Sequence, residues 1–185
     1  IAGSRAHLPP GAKAVVIGAG GLGQMAVQLL RATTGATIVA VDKDARKLAA
    51  AKSLGADVCI ASDSTAADAI DKAVGRADVV LDMVGADATL ALGAKILRAE
   101  GRLVIVGLAG GTLPLSFFGV PLGAQIATSY WGSLPELMEL VALAQRGRLR
   151  LEVETFPLAR APDVYAKLRA GEIRGRAVIV PGRVS

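Results

Sequence analysis

The chain has 185 residues, 52 % hydrophobic and 20 % charged, which suits one packed domain and excludes a disordered chain. Its net charge of +5 sits largely in the C-terminal third (Arg146, Arg148, Arg150, Arg160, Lys167, Arg169, Arg174, Arg176, Arg183), interleaved with apolar and acidic residues and without aromatic platforms, so nucleic acid is not an expected partner. No apolar run approaches the roughly 18 residues of a membrane span, and residues 1–5 lack the basic-then-apolar pattern of a signal peptide. A cytoplasmic protein without membrane partners is therefore expected.

Strand-like and helix-like segments alternate. Residues 13–17 form a short apolar run ending in glycines. Residues 23–33 read as a helix, with Leu22, Met25, Ala26, Leu29 and Leu30 on one face. A strand at 37–41 is followed by a helix at 44–54, with Asp44 as N-cap and Gly55 as stop. Then come a strand at 57–61, a helix at 64–74 ended by Gly75, a strand at 78–82, a helix at 86–97 and a strand at 103–106. A Gly/Pro/Phe-rich connection leads to a sixth strand at 125–130. The strands are apolar throughout, as burial on both faces of a parallel sheet requires. The βαβ alternation gives an α/β fold, a doubly wound parallel sheet of about six strands. From residue 134 the rhythm changes to a helix–strand–helix–strand extension: helix 134–146, strand 151–156, helix 161–170 and strand 177–180. These last strands either lengthen the sheet or belong to a different one. Residues 1–12 read as a linker or the end of a preceding helix, 13–150 as a nucleotide-binding domain, and 151–185 as a C-terminal segment.

Gly18-Ala19-Gly20-Gly21-Leu22-Gly23 fits G-x-G-x-x-G between a buried strand and a helix, the fingerprint of a Rossmann-type dinucleotide site. Gly18 permits the tight turn, Gly20 lets a pyrophosphate approach the backbone, and Gly23 lets the helix pack close to the strand. The helix N-terminus offers free N–H groups and a positive dipole end to the phosphates. Asp42, at the end of the second strand, can accept both ribose hydroxyls and repel a 2′-phosphate, so NAD is expected over NADP; Lys43, Arg46 and Lys47 lie near enough to soften that repulsion. Three other families do not fit. Leu134 and Arg169 stand four residues after Tyr130 and Tyr165, so Tyr-x-x-x-Lys is absent. Val16-Ile17 stand where a methyltransferase carries an acid, and no G-x-S-x-G occurs.

These residues resemble the medium-chain zinc-dependent alcohol dehydrogenases, and within them bacterial NAD-dependent members that oxidise secondary alcohols. The stretches that carry the likeness are the one from Ala14 through the glycines to Gln24, Ala40-Val41-Asp42, Lys52-Ser53-Leu54-Gly55-Ala56-Asp57, Val84-Gly85, Val104-Ile105-Val106-Gly107, Pro121-Leu122-Gly123, Tyr130-Trp131-Gly132-Ser133 and, most distinctively, the tail from Gly171 to Pro181. The resemblance implies that Gly18, Gly20, Gly21, Leu22 and Gly23 cradle the pyrophosphate and that Asp42 and Lys47 hold the adenosine ribose. Val84 and Gly85 line the path past the fourth strand. Val106, Gly107 and Leu108 face the nicotinamide, and Ser129, Tyr130 and Trp131 hold its carboxamide edge. Arg176 reaches a phosphate, with Arg174 as a competitor. It also implies a homodimer through the edge strand at 125–130, or a higher oligomer built on it, with Phe117, Phe118, Val120 and Leu122 as nearby apolar surface.

The family's catalytic zinc ligands, structural cysteines and proton relay belong to a preceding domain and have no counterpart here. A single cysteine, Cys59, and a single histidine, His7, exclude a disulfide or a zinc site of several His or Cys ligands within these residues. No catalytic residue and no metal ligand is assigned. Cys59 reads as a buried structural thiol and His7 as a linker residue, and 151–185 is the segment that returns to the zinc domain. The chain thus reads as the NAD-binding portion of a dehydrogenase acting on a small alcohol or ketone, inactive alone. Two alternatives stand beside this: a metal-free NADPH quinone or enoyl reductase, which Asp42 opposes, and a non-catalytic nucleotide-binding module.

Overall fold

A computed structural model describes residues 8–129, 131–173 and 175–182. In chain order the elements are β1 (Lys13–Ile17), α1 (Gly21–Thr33), β2 (Thr37–Asp42), α2 (Ala45–Ser53), β3 (Val58–Ala61), α3 (Ala66–Val74), β4 (Ala77–Asp82), α4 (Asp87–Ile96), β5 (Leu97–Ile105), β6 (Gln125–Thr128), α5 (Leu134–Gln145), β7 (Val153–Pro157), α6 (Ala161–Ala170) and β8 (Arg176–Val180). β1 to β6 form one parallel sheet in the order β3-β2-β1-β4-β5-β6. The chain winds outward from β1 in one direction and from β4 in the other. The strand order therefore reverses between β1 and β4, and the crevice beyond their C-terminal ends is where such sheets bind ligands.

Alternate residues of each strand feed the two faces. Ala14, Val16, Ile38, Ala40, Val79 and Leu81 pack with Val27 and Leu30 of α1 on one face. Val15, Ile17, Val39, Val41, Val80 and Leu103 pack with Ile70 of α3 on the other. The core is aliphatic, as the scarcity of aromatic residues requires. Each fully buried Val, Leu or Ile contributes roughly 1.5–3 kcal/mol.

The structure shifts several sequence-derived boundaries. α1 begins at Gly21, and its buried residues are Gly23, Ala26, Val27, Gln28, Leu29 and Leu30. Leu22 stays 52 % exposed. The inward face is thus turned about one position from the expected one, because Gly23 is the residue that seats against the strand. β5 starts directly after α4 and ends at Ile105. Ala77 pairs with Leu97 but Val79 with Arg102, so β5 carries an irregularity in which Glu100 takes φ 58°. The polar sequence Arg98-Ala99-Glu100-Gly101 hides this strand half from a search for apolar runs. β6 ends at Thr128, although the Ser129 N–H still donates to Ile105 O at 2.9 Å.

The tail resolves in favour of a separate sheet: β7 and β8 pair in parallel with each other, and β7 begins at Val153. The tail is fastened to α1 by Gln28, buried at 5 % exposure. Its Oε1 accepts the Arg150 N–H at 2.7 Å, and its Nε2 donates to Arg150 O at 3.0 Å. One side chain thus satisfies both backbone groups of Arg150 as a neighbouring strand would. Among the described residues no helix is long and apolar enough to cross a membrane.

Candidate functional site

The glycine-rich turn is shaped by contacts that exclude side chains. Gly18 takes φ +92°, donates its N–H to Val41 O at 2.7 Å, and would place a Cβ 2.7 Å from Val84 Cγ2. A Cβ on Gly23 would lie 1.8 Å from Gly18 O, so α1 can pack over the turn only with glycine there. Gly20 is different: among the described residues a Cβ would meet nothing within 4 Å. It is the N-cap of α1 and makes no side-chain capping bond, which leaves the first-turn N–H groups for an anion. A Cβ on Gly21 would lie 2.9 Å from both Cδ and Nη1 of Arg176. The guanidinium of the tail thus lies against the positive end of the helix, and two sources of positive potential meet beside the open face of Gly20.

A cleft of about 410 Å³ opens there, lined by Gly20, Gly21, Gln24, Asp44, Arg46, Lys47, Ala49, Ala50, Glu152, Gly171, Glu172, Ile173 and Gly175. Its tail wall was not foreseen. Gly175 takes φ +64° where a Cβ would strike Glu152 O at 2.2 Å, and the Arg176 N–H donates to Glu152 O at 2.9 Å. These contacts aim Arg176 at the turn. Asp44 caps α2, accepting the Arg46 N–H at 2.8 Å and its guanidinium at 2.9 Å. That guanidinium holds the Asp44 carboxyl down at about 2. Arg46 is thereby committed to Asp44, while Lys47 also lines the cleft.

Asp42 is 8 % exposed at the end of β2. Its Oδ2 accepts the Ala19 N–H at 2.7 Å and its Oδ1 the Asp44 N–H at 2.9 Å. It braces the glycine turn against the β2–α2 turn, a role the sequence reading missed, and each oxygen keeps lone-pair capacity.

The remaining predicted residues are distributed along the same C-terminal edge. Val84, Gly85 and Gly107 meet through backbone, since a Cβ on Gly85 would lie 2.2 Å from Gly107 O. Leu22 and Val106 do not line the cleft beside Gly20. They share an apolar cleft of about 230 Å³ with Met25, Leu29, Met83 and Leu140. Leu108 is 87 % and Trp131 77 % exposed, and Ser129 is half-buried. Tyr130, Arg174 and His7 lie outside the described residues. Cys59 is half-buried rather than buried; its Sγ lies 3.4 Å from Leu48 O, and burial pushes its thiol up. Among the described residues no three His, Cys, Asp or Glu side chains are grouped to hold a metal, so the residues present do not fit a zinc site and no metal-dependent step is derived for them.

A doubly wound parallel sheet with a glycine-rich turn beside its switch point is a Rossmann-type α/β domain. Residues 21–146 match the family described as zinc-binding dehydrogenase. The chain is 37 % identical over 172 residues to an alcohol dehydrogenase of Moraxella sp. (strain TAE123), covering 92 % of this chain and 51 % of that protein. It is 35 % identical over 183 residues to a NAD-dependent alcohol dehydrogenase of Sulfurisphaera tokodaii, covering 96 % and 53 %. The crystal structure of the alcohol dehydrogenase from the archaeon Aeropyrum pernix superposes with a TM-score of 0.87 at 38 % identity, over 95 % of this chain and 52 % of that one. The chain belongs to the zinc-binding dehydrogenase family, and it spans about half the length of the curated relatives it matches.

Proposed function

We propose that the chain is the NAD-binding part of an alcohol dehydrogenase, with residues 13–150 seating the dinucleotide and 151–185 serving as the segment that joins a zinc-bearing domain. The observation that carries this is the meeting of Arg176 with the uncapped N-terminus of α1 beside the open face of Gly20. A glycine cradle, a helix dipole and a guanidinium in one place suit a pyrophosphate. The name of the Sulfurisphaera relative supports NAD as the cofactor.

On this reading Gly18, Gly20, Gly21, Leu22, Gly23 and Arg176 hold the pyrophosphate. Asp42 and Lys47 take the adenosine ribose. Val84, Gly85, Val106, Gly107, Leu108, Ser129, Tyr130 and Trp131 take the nicotinamide end. When bound, the nicotinamide supplies the hydride acceptor for oxidation of a small secondary alcohol, or in reverse the donor to a ketone. The chain's own residues bind and orient; none of those placed at the site removes the hydroxyl proton, a task this reading leaves to the zinc-bearing part of the protein. The whole enzyme is a cytoplasmic dimer, or a higher oligomer, joined through β6.

Calorimetric titration with NAD and NADP tests the reading. NAD should bind more tightly, and equal or tighter NADP binding would overturn it. Incubation with NAD, zinc and secondary alcohols should give no steady rise in NADH absorbance; turnover that survives repurification and vanishes in Gly20→Val would show that the chain carries its own chemistry.

A further inference from the structure

Asp82 ends β4 and is fully buried. Four backbone N–H groups from two loops converge on it. Its main-chain carbonyl accepts those of Val106 at 2.8 Å and Gly107 at 3.0 Å. Its Oδ1 accepts those of Val84 at 2.8 Å and Gly85 at 3.0 Å. Among the described residues its Oδ2 has no partner. Burying a carboxyl with one oxygen unpaired opposes stability. A strand end needs only its main-chain groups paired; the carboxyl is used beyond that, to hold the N–H groups of Val84 and Gly85.

The loops it holds have no slack. A Cβ on Gly107 would lie 2.0 Å from Val84 C, and one on Gly85 2.2 Å from Gly107 O. Val84 Cγ2 in turn occupies the space that a side chain on Gly18 would need. The 84–85 loop, the 106–107 loop and the glycine turn therefore form one backbone-tight stack, in which the Asp82 side chain bonds the first and its main-chain carbonyl the second. We infer that Asp82 is a positioning residue for the nicotinamide end of the site. It acts through the 84–85 loop, which its side chain fixes against the 106–107 loop, and these two loops would flank the ring. This rests on the dinucleotide reading above.

Asp82→Ala removes the Oδ1 acceptor, whereas Asp82→Asn keeps an acceptor oxygen for the same pair of N–H groups. The wild-type chain and both variants are titrated with NADH, following nicotinamide emission, and by calorimetry with ADP-ribose, which lacks the nicotinamide. ADP-ribose affinity should stay within about threefold throughout. NADH should weaken about tenfold in Asp82→Ala, because the Val84 and Gly85 N–H groups lose their acceptor and the loop must be ordered again on binding, with loss of the emission change expected of the wild type. Asp82→Asn should restore both. Equal weakening of both ligands in Asp82→Ala would make Asp82 a support of the fold alone, and no effect on either would deny it any role; both overturn the inference. If Asp82→Ala does not fold, Asp82→Ser, whose shorter hydroxyl cannot hold both the Val84 and Gly85 N–H groups, takes its place. That variant must show the same split, and its absence overturns the inference. A wild-type chain that binds ADP-ribose without changing NADH emission overturns the inference and leaves the dinucleotide reading standing. One that binds neither overturns that reading as well.

Discussion

Among single residues, Gly20 and Gly23 separate binding from folding. A Cβ at position 23 would meet the carbonyl of Gly18 at 1.8 Å, and backbone cannot yield as a flexible side chain would. Gly23→Ala should cost about 1–3 kcal/mol or more, seen as a lower urea midpoint, and weaken NAD with it. Gly20→Ala meets open space. Its melting temperature should stay within about 2 °C of the wild type, while NAD weakens because the methyl stands where a pyrophosphate would approach. If both variants lose stability alike, Gly20 is not an open cradle. Asp42→Ala should narrow the gap between NAD and NADP by relieving charge repulsion. It should also lower stability, because the N–H groups of Ala19 and Asp44 lose their acceptor. The glycines were legible from spacing, since each answers to a steric demand local to the turn. Asp42 was legible as an acid at a strand end, but its bonds to two turns depend on how those turns meet. Gln28 and Asp82 were missed because a polar residue in an apolar stretch reads as solvent-facing until the fold buries it.

Between elements, two carboxylates tie strand beginnings together. Asp78 at the start of β4 accepts the Lys13 N–H of β1 at 2.8 Å and pairs with Arg98. Asp57, just before β3, accepts the Ile38 N–H of β2 at 2.8 Å and pairs with Arg31. Burial pushes both carboxyls up, yet the backbone N–H and guanidinium beside each outweigh it and hold them below the ordinary value of 3.8. Groups held low in the folded state add stability that is fully present above the unfolded pKa and lost as pH falls through the folded one. The melting temperature should be flat from about pH 7 to 5 and fall below about pH 4. Asp78→Asn should cost about 1–2 kcal/mol in urea unfolding at neutral pH, with the ion pair adding little because Arg98 is 45 % exposed, and it should flatten the acid limb. An unchanged limb would show that these carboxylates do not govern acid lability. Strand and helix order was legible because apolar runs and Gly or Asp punctuation are local signals. The irregular first half of β5 was not, because its pairing with β4 is decided by the neighbouring strand rather than by its own polar residues.

Across the molecule, large apolar side chains stay exposed in the connection before β6 and along α5. β6 is the last strand of the sheet, and in the connection that leads to it Phe117 and Phe118 pack edge-on at 4.9 Å while remaining 76 % and 90 % exposed. Leu122 is 62 % exposed, and α5 buries none of its residues despite Leu134, Leu137, Met138 and Val141. An uncharged edge strand in a molecule with this much exposed apolar surface favours pairing with another chain. Light scattering at tens of micromolar should give at least a dimer mass, and Ala127→Lys, which sets a charge on the edge, should shift it toward monomer. A wild-type monomer at that concentration would count against association through β6. The separateness of the tail sheet was not settled by sequence: β7, with Glu154 and Pro157, is more polar than the buried strands, but composition does not say which strand it pairs with.

The contact of Arg176 with Gly21 also has a consequence in time. The large sheet grows mostly by pairing of successive βαβ units, whereas the proposed phosphate seat needs a residue from β8 to reach the first helix. Contacts so distant along the chain form late, and synthesis delivers the earlier segments first. A nascent chain can therefore complete its sheet before it can grip a nucleotide. On dilution from urea, far-ultraviolet circular dichroism should recover ahead of NAD binding, and an Arg176→Ala chain should show the first phase without a full second.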